Sequence, residues 1–266
     1  MHKRFFASLR MTSKMKFGLI GHPIGHSLSP ALFKAGYDGR YTYDMIETPD
    51  FEEAYRRFLD GYDGINVTAP FKEIALHKAD IVSEECKSIG ATNLLIKTPE
   101  GIKAYNSDYR GLRLLLSGMG NASRATRALI VGCGGASKAA KAAVESLGFK
   151  VSVINRTQYT PEIKPLEDFR QEFLNADIII YNLPVRINEI VEMTEEDLSG
   201  CGRKTILEAN YRNPSFDIAL IENWRKINPE IEFIDGRVWL LAQAVTGYEL
   251  FTGEVPQSEA MEKVLF

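Results

Sequence analysis

A chain of 266 residues, 45% hydrophobic and 25% charged, has enough apolar material for one large or two medium buried cores and reads as an ordinary soluble globular protein. A formal net charge of -3 and a pI near 5.9 leave no basic excess for a polyanion, which argues against nucleic acid as the main partner and for a small molecule. Cys86, Cys133 and Cys201 are far apart and odd in number, without a Cys-x-x-Cys pair, so neither a disulfide framework nor a zinc site is expected. A reducing cytoplasm fits that usage.

Residues 1–14 carry His2, Lys3, Arg4, Arg10 and Lys14 and no acid, and the apolar stretch 5–9 is too short for a signal-peptide core. An organellar presequence would tolerate this composition, but Met15 stands directly before the first strand-like run, so a disordered tail from an upstream start is expected. Strand-like and helix-like runs then alternate: 16–20 and 29–35, 41–46 and 51–59, 64–67 and 73–79. Runs 93–97 and 102–105 form a hairpin around Pro99-Glu100-Gly101, and a helix over 108–117 ends at Gly118, Gly120 and Asn121. A second series follows, with strands at 126–131, 150–155, 177–182, 205–208 and 231–234 and helices at 136–147 and 165–174. Such alternation predicts parallel βαβ units. The last long helix, 237–251, has no strand after it and is expected to return to the first domain. No run is long and apolar enough to span a bilayer.

Two stretches carry chemistry. Asn66-Val67-Thr68-Ala69-Pro70-Phe71-Lys72 ends a strand with an amide, a hydroxyl and an amine. Pro70 fixes its own φ and pushes Ala69 out of the helical region, so Lys72 emerges at the next segment, where an ammonium beside hydroxyl-binding groups can move a proton. By itself the heptapeptide would also suit a plain turn with a solvated lysine. The second stretch, Gly132-Cys133-Gly134-Gly135-Ala136-Ser137, joins the strand at 126–131 to an alanine-rich helix, the order a dinucleotide pyrophosphate site requires. About twenty residues on, Asn155-Arg156-Thr157 stands where an NAD-binding protein places a carboxylate. An arginine there pairs with a 2′-phosphate, so NADP(H) is the expected cofactor. His22 and His26 lack helical spacing and further ligands, so no metal is expected.

In order, these residues resemble the shikimate dehydrogenase family, over roughly residues 17–251. The resemblance rests on Gly21-His22-Pro23-Ile24-Gly25-His26-Ser27-Leu28-Ser29-Pro30, on the 66–72 stretch, on Gly90-Ala91-Thr92-Asn93, and on Asn106-Ser107-Asp108-Tyr109-Arg110-Gly111 with Ser107 where threonine is usual. The glycine turn, Asn155-Arg156-Thr157, and Gly236 with Gln243 complete it. It implies two domains: a substrate-binding α/β domain with a mainly parallel sheet (residues 15–108 and 236–266) and a Rossmann-like NADP-binding domain (109–235), closing on substrate. It also implies reversible NADP-dependent reduction of 3-dehydroshikimate to shikimate in aromatic amino-acid and chorismate biosynthesis. Lys72 and Asp108 would be catalytic; Ser27, Ser29, Thr68, Asn93, Asp108, Tyr211 and Gln243 would bind substrate. Gly132, Gly134, Gly135, Ala136, Ser137, Asn155, Arg156, Thr157 and Gly236 would bind cofactor. Ser29 could also cap the helix at Pro30, and Asp108 the helix it begins.

Four departures stand against that pattern: Asn182-Leu183-Pro184-Val185-Arg186 without the usual small hydroxyl residues; Trp239 for a methionine near the nicotinamide, a much larger wall; Glu208 for aspartate with one extra residue between Tyr211 and Pro214; and Phe33 where histidine is common. The alternatives are a quinate/shikimate enzyme using NAD, and a non-catalytic or weakly active protein binding a shikimate-like acid. The expected partner is the small-molecule substrate, with no nucleic acid and no membrane, for a cytoplasmic monomer or homodimer.

Overall fold

The computed structural model describes residues 14–117 and 126–266. The expected tail at 1–14, apart from Lys14, and the helix-end signals at Gly118, Gly120 and Asn121 lie outside them. Lys14 is described, and its Nζ donates to the Gly39 carbonyl at 2.7 Å.

In chain order the elements are β1 (Lys16–Gly21), α1 (Ser29–Gly36), β2 (Thr42–Glu47), α2 (Phe51–Gly61), β3 (Gly64–Val67), α3 (Lys72–Leu76), β4 (Ile81–Val82), α4 (Glu84–Ile89), β5 (Leu94–Thr98), β6 (Gly101–Tyr105) and α5 (Ser107–Leu116). Then come β7 (Arg127–Val131), α6 (Gly135–Ser146), β8 (Lys150–Ile154), β9 (Ile163–Lys164), α7 (Phe169–Asn175) behind a 3-10 turn, β10 (Ile178–Tyr181), α8 (Asn188–Val191) and α9 (Glu195–Gly200). The chain finishes with β11 (Lys204–Glu208), α10 (Ile218–Ile227), β12 (Ile231–Ile234), α11 (Gly236–Thr252) and α12 (Ser258–Leu265). The alternation of strands and helices is the expected one. The short elements β4, β9, α4, α8 and α9 and the longer α10 and α12 were not anticipated.

The described residues form two compact units: those within Met1–Ser83, Ala91–Tyr105 and Gly247–Phe266 in the first, those within Glu84–Gly90 and Asn106–Thr246 in the second. These limits differ from 108/109 and 235/236 because Ser107 and Gln243 pack on each other and take α5 and most of α11 with the second unit.

In the first unit the sheet order is β2-β1-β3-β5-β6-β4, parallel from β2 to β3 and antiparallel at β3/β5 and β5/β6. Phe17, Phe33, Tyr37, Tyr41 and Tyr43 make an aromatic core into which the end of α11 brings Tyr248 and Phe251; Phe17 and Phe251 stack with ring centroids 4.9 Å apart. Aromatic pairs at such spacing add to the gain from buried area.

The second sheet is parallel throughout, in the order β12-β11-β10-β7-β8-β9. Side chains alternate across it: Leu129, Val131, Ile179 and Ile206 join a core on one face, Ala128, Ile130, Ile178 and Leu207 a core on the other. A sheet covered on both faces needs such continuously apolar strands. Its order reverses between β7 and β10, and open parallel sheets hold ligands at that switch point, beyond the carboxyl ends of the strands.

Candidate active site

β1 and β3 are parallel neighbours, so the loops leaving their carboxyl ends run side by side. Thr68 N–H donates to the Ile20 carbonyl at 3.0 Å, and His22 N–H to the Ala69 carbonyl at 3.1 Å. In the first loop Ser27 N–H closes a turn on Ile24, Ser29 N–H donates to Ser27 Oγ at 3.2 Å, and Ser27 Oγ donates to Ser29 Oγ at 3.1 Å. The two hydroxyls are therefore adjacent. Ser29 does not cap α1: Leu28 holds that position, and its apolar side chain offers no acceptor.

In the second loop Phe71 N–H donates to the Thr68 carbonyl at 2.9 Å, and half-buried Lys72 opens α3 one residue before the expected start. Thr92 N–H donates to the Lys72 carbonyl at 2.9 Å and Val67 N–H to the Asn93 carbonyl at 2.8 Å. Thr68, Lys72 and buried Asn93 thus gather at the carboxyl end of β3, each fixed by main-chain bonds.

Two tyrosines that sequence reasoning missed support this end. Tyr43 donates its hydroxyl to Asn66 Oδ1 at 2.8 Å, and Tyr248 donates to the Ser29 carbonyl at 3.1 Å. Removal from water raises both phenols well above the ordinary tyrosine value, so they remain neutral donors. Position on β2 could have flagged Tyr43; nothing local flags Tyr248. Phe33 is not a missing polar group of the site. It is 1% exposed, with ring centroids 4.7 Å from Tyr43 and 4.8 Å from Tyr248, and belongs to the core.

In the second unit Asn106 caps α5 by accepting from Tyr109 N–H at 3.0 Å, so Asp108 lies in the first turn and is not the cap. A Cβ on Gly111 would stand 2.5 Å from the Gln243 amide nitrogen, which is how closely α5 and α11 cross. Ser107 Oγ donates to Gln243 Oε1 at 3.3 Å, and Trp239 Nε1–H donates to the Asp108 carbonyl at 3.0 Å. Asp108 and Gln243 are brought together by that crossing. Trp239, 5% exposed, packs with Leu112, Ile130 and Leu207 as core; the expected larger wall is instead the pin that holds Asp108. Tyr211 is half-buried on the loop after β11, and burial raises its phenol.

The glycine turn follows β7 at the switch point. Gly132 has φ +110, a region L side chains avoid, and its N–H donates to the Ile154 carbonyl at 2.9 Å. Gly134 precedes α6 with no side-chain cap and with open space where a Cβ would stand. The α6 N-terminus is therefore presented bare, by Gly134, Gly135 and Ala136. Among the described residues, buried Ser137 Oγ and Asn182 Oδ1 find no hydrogen-bond partner, and both flank Gly132. After β8, buried Asn155 braces its loop by donating to the Thr157 carbonyl at 2.9 Å, leaving Arg156 and Thr157 exposed. A glycine cradle, unpaired buried polar atoms and an exposed arginine fit a phosphorylated dinucleotide. Gly236 opens α11 where a Cβ would stand 2.6 Å from the Glu208 carbonyl oxygen. Among the described residues no group of His, Cys, Asp or Glu could hold a metal, and no helix is long and apolar enough to cross a membrane.

A doubly wound parallel unit with this turn, joined to a mixed α/β unit with a lysine among amides and hydroxyls, defines a two-unit dinucleotide-dependent oxidoreductase. In sequence and in fold the chain is similar to the shikimate dehydrogenase family. Residues 19–95 match the family model described as shikimate dehydrogenase substrate binding domain. A shikimate dehydrogenase (NADP(+)) of Bacillus subtilis (strain 168) is 28% identical over 274 residues, covering 95% of this chain and 96% of the relative. The crystal structure of Mycobacterium tuberculosis shikimate dehydrogenase superposes with a TM-score of 0.75 at 26% identity, over 94% of this chain and 98% of that one. A quinate dehydrogenase from Corynebacterium glutamicum in complex with NAD shares the fold, with a TM-score of 0.78 at 23% identity over 94% and 98% of the two chains.

Proposed function

We propose that this protein catalyses the reversible reduction of 3-dehydroshikimate to shikimate with NADPH. The observation that carries the reading is the gathering of Lys72, Thr68 and Asn93 at the end of β3, beside the paired hydroxyls of Ser27 and Ser29. Residues 15–108 and 236–266 are read as the substrate-binding part and 109–235 as the NADP-binding part.

Ser27, Ser29 and Tyr211 donate to the substrate carboxylate, while Thr68, Asn93, Asp108 and Gln243 supply the mixed donors and acceptors that ring hydroxyls need. Lys72 gives its proton to the carbonyl oxygen, and Asp108 is the second catalytic group. NADPH, when bound, supplies the hydride that reduces the carbonyl carbon and leaves as NADP+. Gly132, Gly134, Gly135, Ala136 and Ser137 hold its pyrophosphate; Asn155, Arg156 and Thr157 hold the phosphorylated ribose; Gly236 lies on the cofactor side. Three free cysteines suit a cytoplasmic enzyme, working as a monomer or homodimer.

Trp239 gives no ground for a non-catalytic ligand-binding protein, since its ring is core. In the oxidising direction Lys72 accepts the proton that the shikimate hydroxyl gives up. NADP+ reduction by shikimate tests this reading. Parallel arms with quinate and NAD+ test the related activity, and Arg156 predicts that they run slower.

A further inference from the structure

The carboxylate of Glu208, fully buried at the end of β11, is the acceptor around which the following loop is folded. Its Oε1 accepts from Asn210 N–H at 2.9 Å, and its Oε2 from Ser215 N–H at 2.8 Å and Phe216 N–H at 3.3 Å. Asn210 in turn accepts through Oδ1 from Arg212 N–H and Asn213 N–H, both at 3.2 Å. The main chain is thus pinned immediately before and immediately after Tyr211. Arg186 grips the loop from outside, donating to the Ser215 carbonyl and to the Asp217 carboxylate. Its own loop is tied back where the Tyr181 hydroxyl donates to the Val185 carbonyl at 2.6 Å. Ser215 is therefore held through its N–H by Glu208 and through its carbonyl by Arg186.

We propose that Glu208 is a positioning residue for substrate binding: its buried carboxylate fixes residues 209–216 and, through Asn210, sets where the Tyr211 hydroxyl is presented. This rests on the reading of Tyr211 as a donor to the substrate carboxylate. A glutamine has one acceptor oxygen where the loop requires two, so Glu208→Gln leaves either Asn210 or the Ser215–Phe216 pair of N–H groups without an acceptor. The loop is released at one end while the residue keeps its size.

The test is a double-mutant cycle of Glu208→Gln, Tyr211→Phe and the pair, with KM measured for shikimate and for NADP+ and shikimate affinity by calorimetry. Glu208→Gln is expected to raise the shikimate KM and Kd about 10-fold, as for loss of a hydrogen bond to a charged group, with the NADP+ KM within about 2-fold of the parent. In the Tyr211→Phe background the same change should add less than about 2-fold. Glu208→Asp, which keeps the charge but shortens the reach, should give the same shikimate-selective rise, and it carries the test if the glutamine variant does not fold. Fully additive effects, an equal rise in the NADP+ KM, or a lower melting temperature with unchanged KM would overturn the positioning role. A parent protein that oxidises shikimate with additive variants fails this inference alone, whereas a parent that neither binds nor oxidises shikimate fails the functional reading and this inference with it.

Discussion

The loops at 21–30 and 66–72 and the loops at 182–187 and 209–217 are held by opposite means. In the first pair the main chain bonds to itself: His22 to Ala69, Thr68 to Ile20, Val67 to Asn93. Tyr43 and Tyr248 support them from behind. In the second pair charged side chains do the holding, Glu208 from inside and Arg186 from outside. Self-bonded loops tolerate exchange of the side chains they carry, whereas side-chain-braced loops depend on a few named residues. The departures from the family pattern at 182–186 and 208–214 fall in the braced region.

The largest expected effect breaks the chemistry and leaves the first region standing. Lys72→Ala should lower the turnover of 3-dehydroshikimate by about 10²- to 10⁴-fold, the range for loss of a general acid, while shikimate still binds in calorimetry. Loss of binding together with turnover would make Lys72 a structural residue.

Next comes the core behind that region. Phe33→Ala should cost about 3–5 kcal/mol in denaturant unfolding, because it empties the centre of the aromatic cluster. A change in shikimate affinity with little loss of stability would return Phe33 to the site.

The braced region should show itself through pH. Burial, with Asp235 near by, pushes Glu208 up to about 7 from 4.5 despite three N–H donors, and Tyr181 is the other titratable group facing it. A carboxyl whose folded value is raised favours folding when protonated. Its contribution is therefore greatest at and below pH 4.5, falls as pH rises to about 7, and is constant above. The change amounts to about 3 kcal/mol at 1.36 kcal/mol per unit. Thermal unfolding between pH 5 and 8 should show the decline in the parent protein and a flatter curve in Glu208→Gln. The same slope in both would mean that Glu208 titrates normally.

The smallest effect concerns the exposed Arg156. Arg156→Ala should raise the NADPH KM about 10-fold, the low end for a charged hydrogen bond, and leave the NADH KM unchanged. Equal changes for both cofactors would mean that the arginine does not read the 2′-phosphate.

The architecture was legible because strands covered on both faces must be continuously apolar, and 128–131 and 178–181 are. α10 carries a legible signal: Leu220, Ile221, Trp224 and Ile227 recur at helical spacing behind Asp217, whose side chain caps the helix at Leu220 N–H. β4 and β9 have two residues each and offer no period to read. Local preference misled at the caps, since Ser29 and Asp108 are residue types that cap well, yet the α1 cap falls on Leu28 and Asn106 takes the α5 cap bond. For the candidate site, order along the chain identified the positions of Phe33 and Trp239 but not their direction. Direction is decided by partners distant in sequence, Phe17 and Tyr248 for one, Leu112 and Leu207 for the other. The bracing by Glu208 and Arg186 was hidden for the same reason, because it joins residues 29 and 7 positions apart through main-chain atoms that no side-chain pattern reveals.

The central claim is tested most directly by following NADPH absorbance on adding 3-dehydroshikimate to the purified protein, with NADH in parallel. Consumption of NADPH that is fast, stoichiometric with shikimate formed and much slower with NADH is the predicted result. No consumption of either cofactor, with shikimate still bound in calorimetry, would contradict the claim and make the chain a binder of shikimate-like acids.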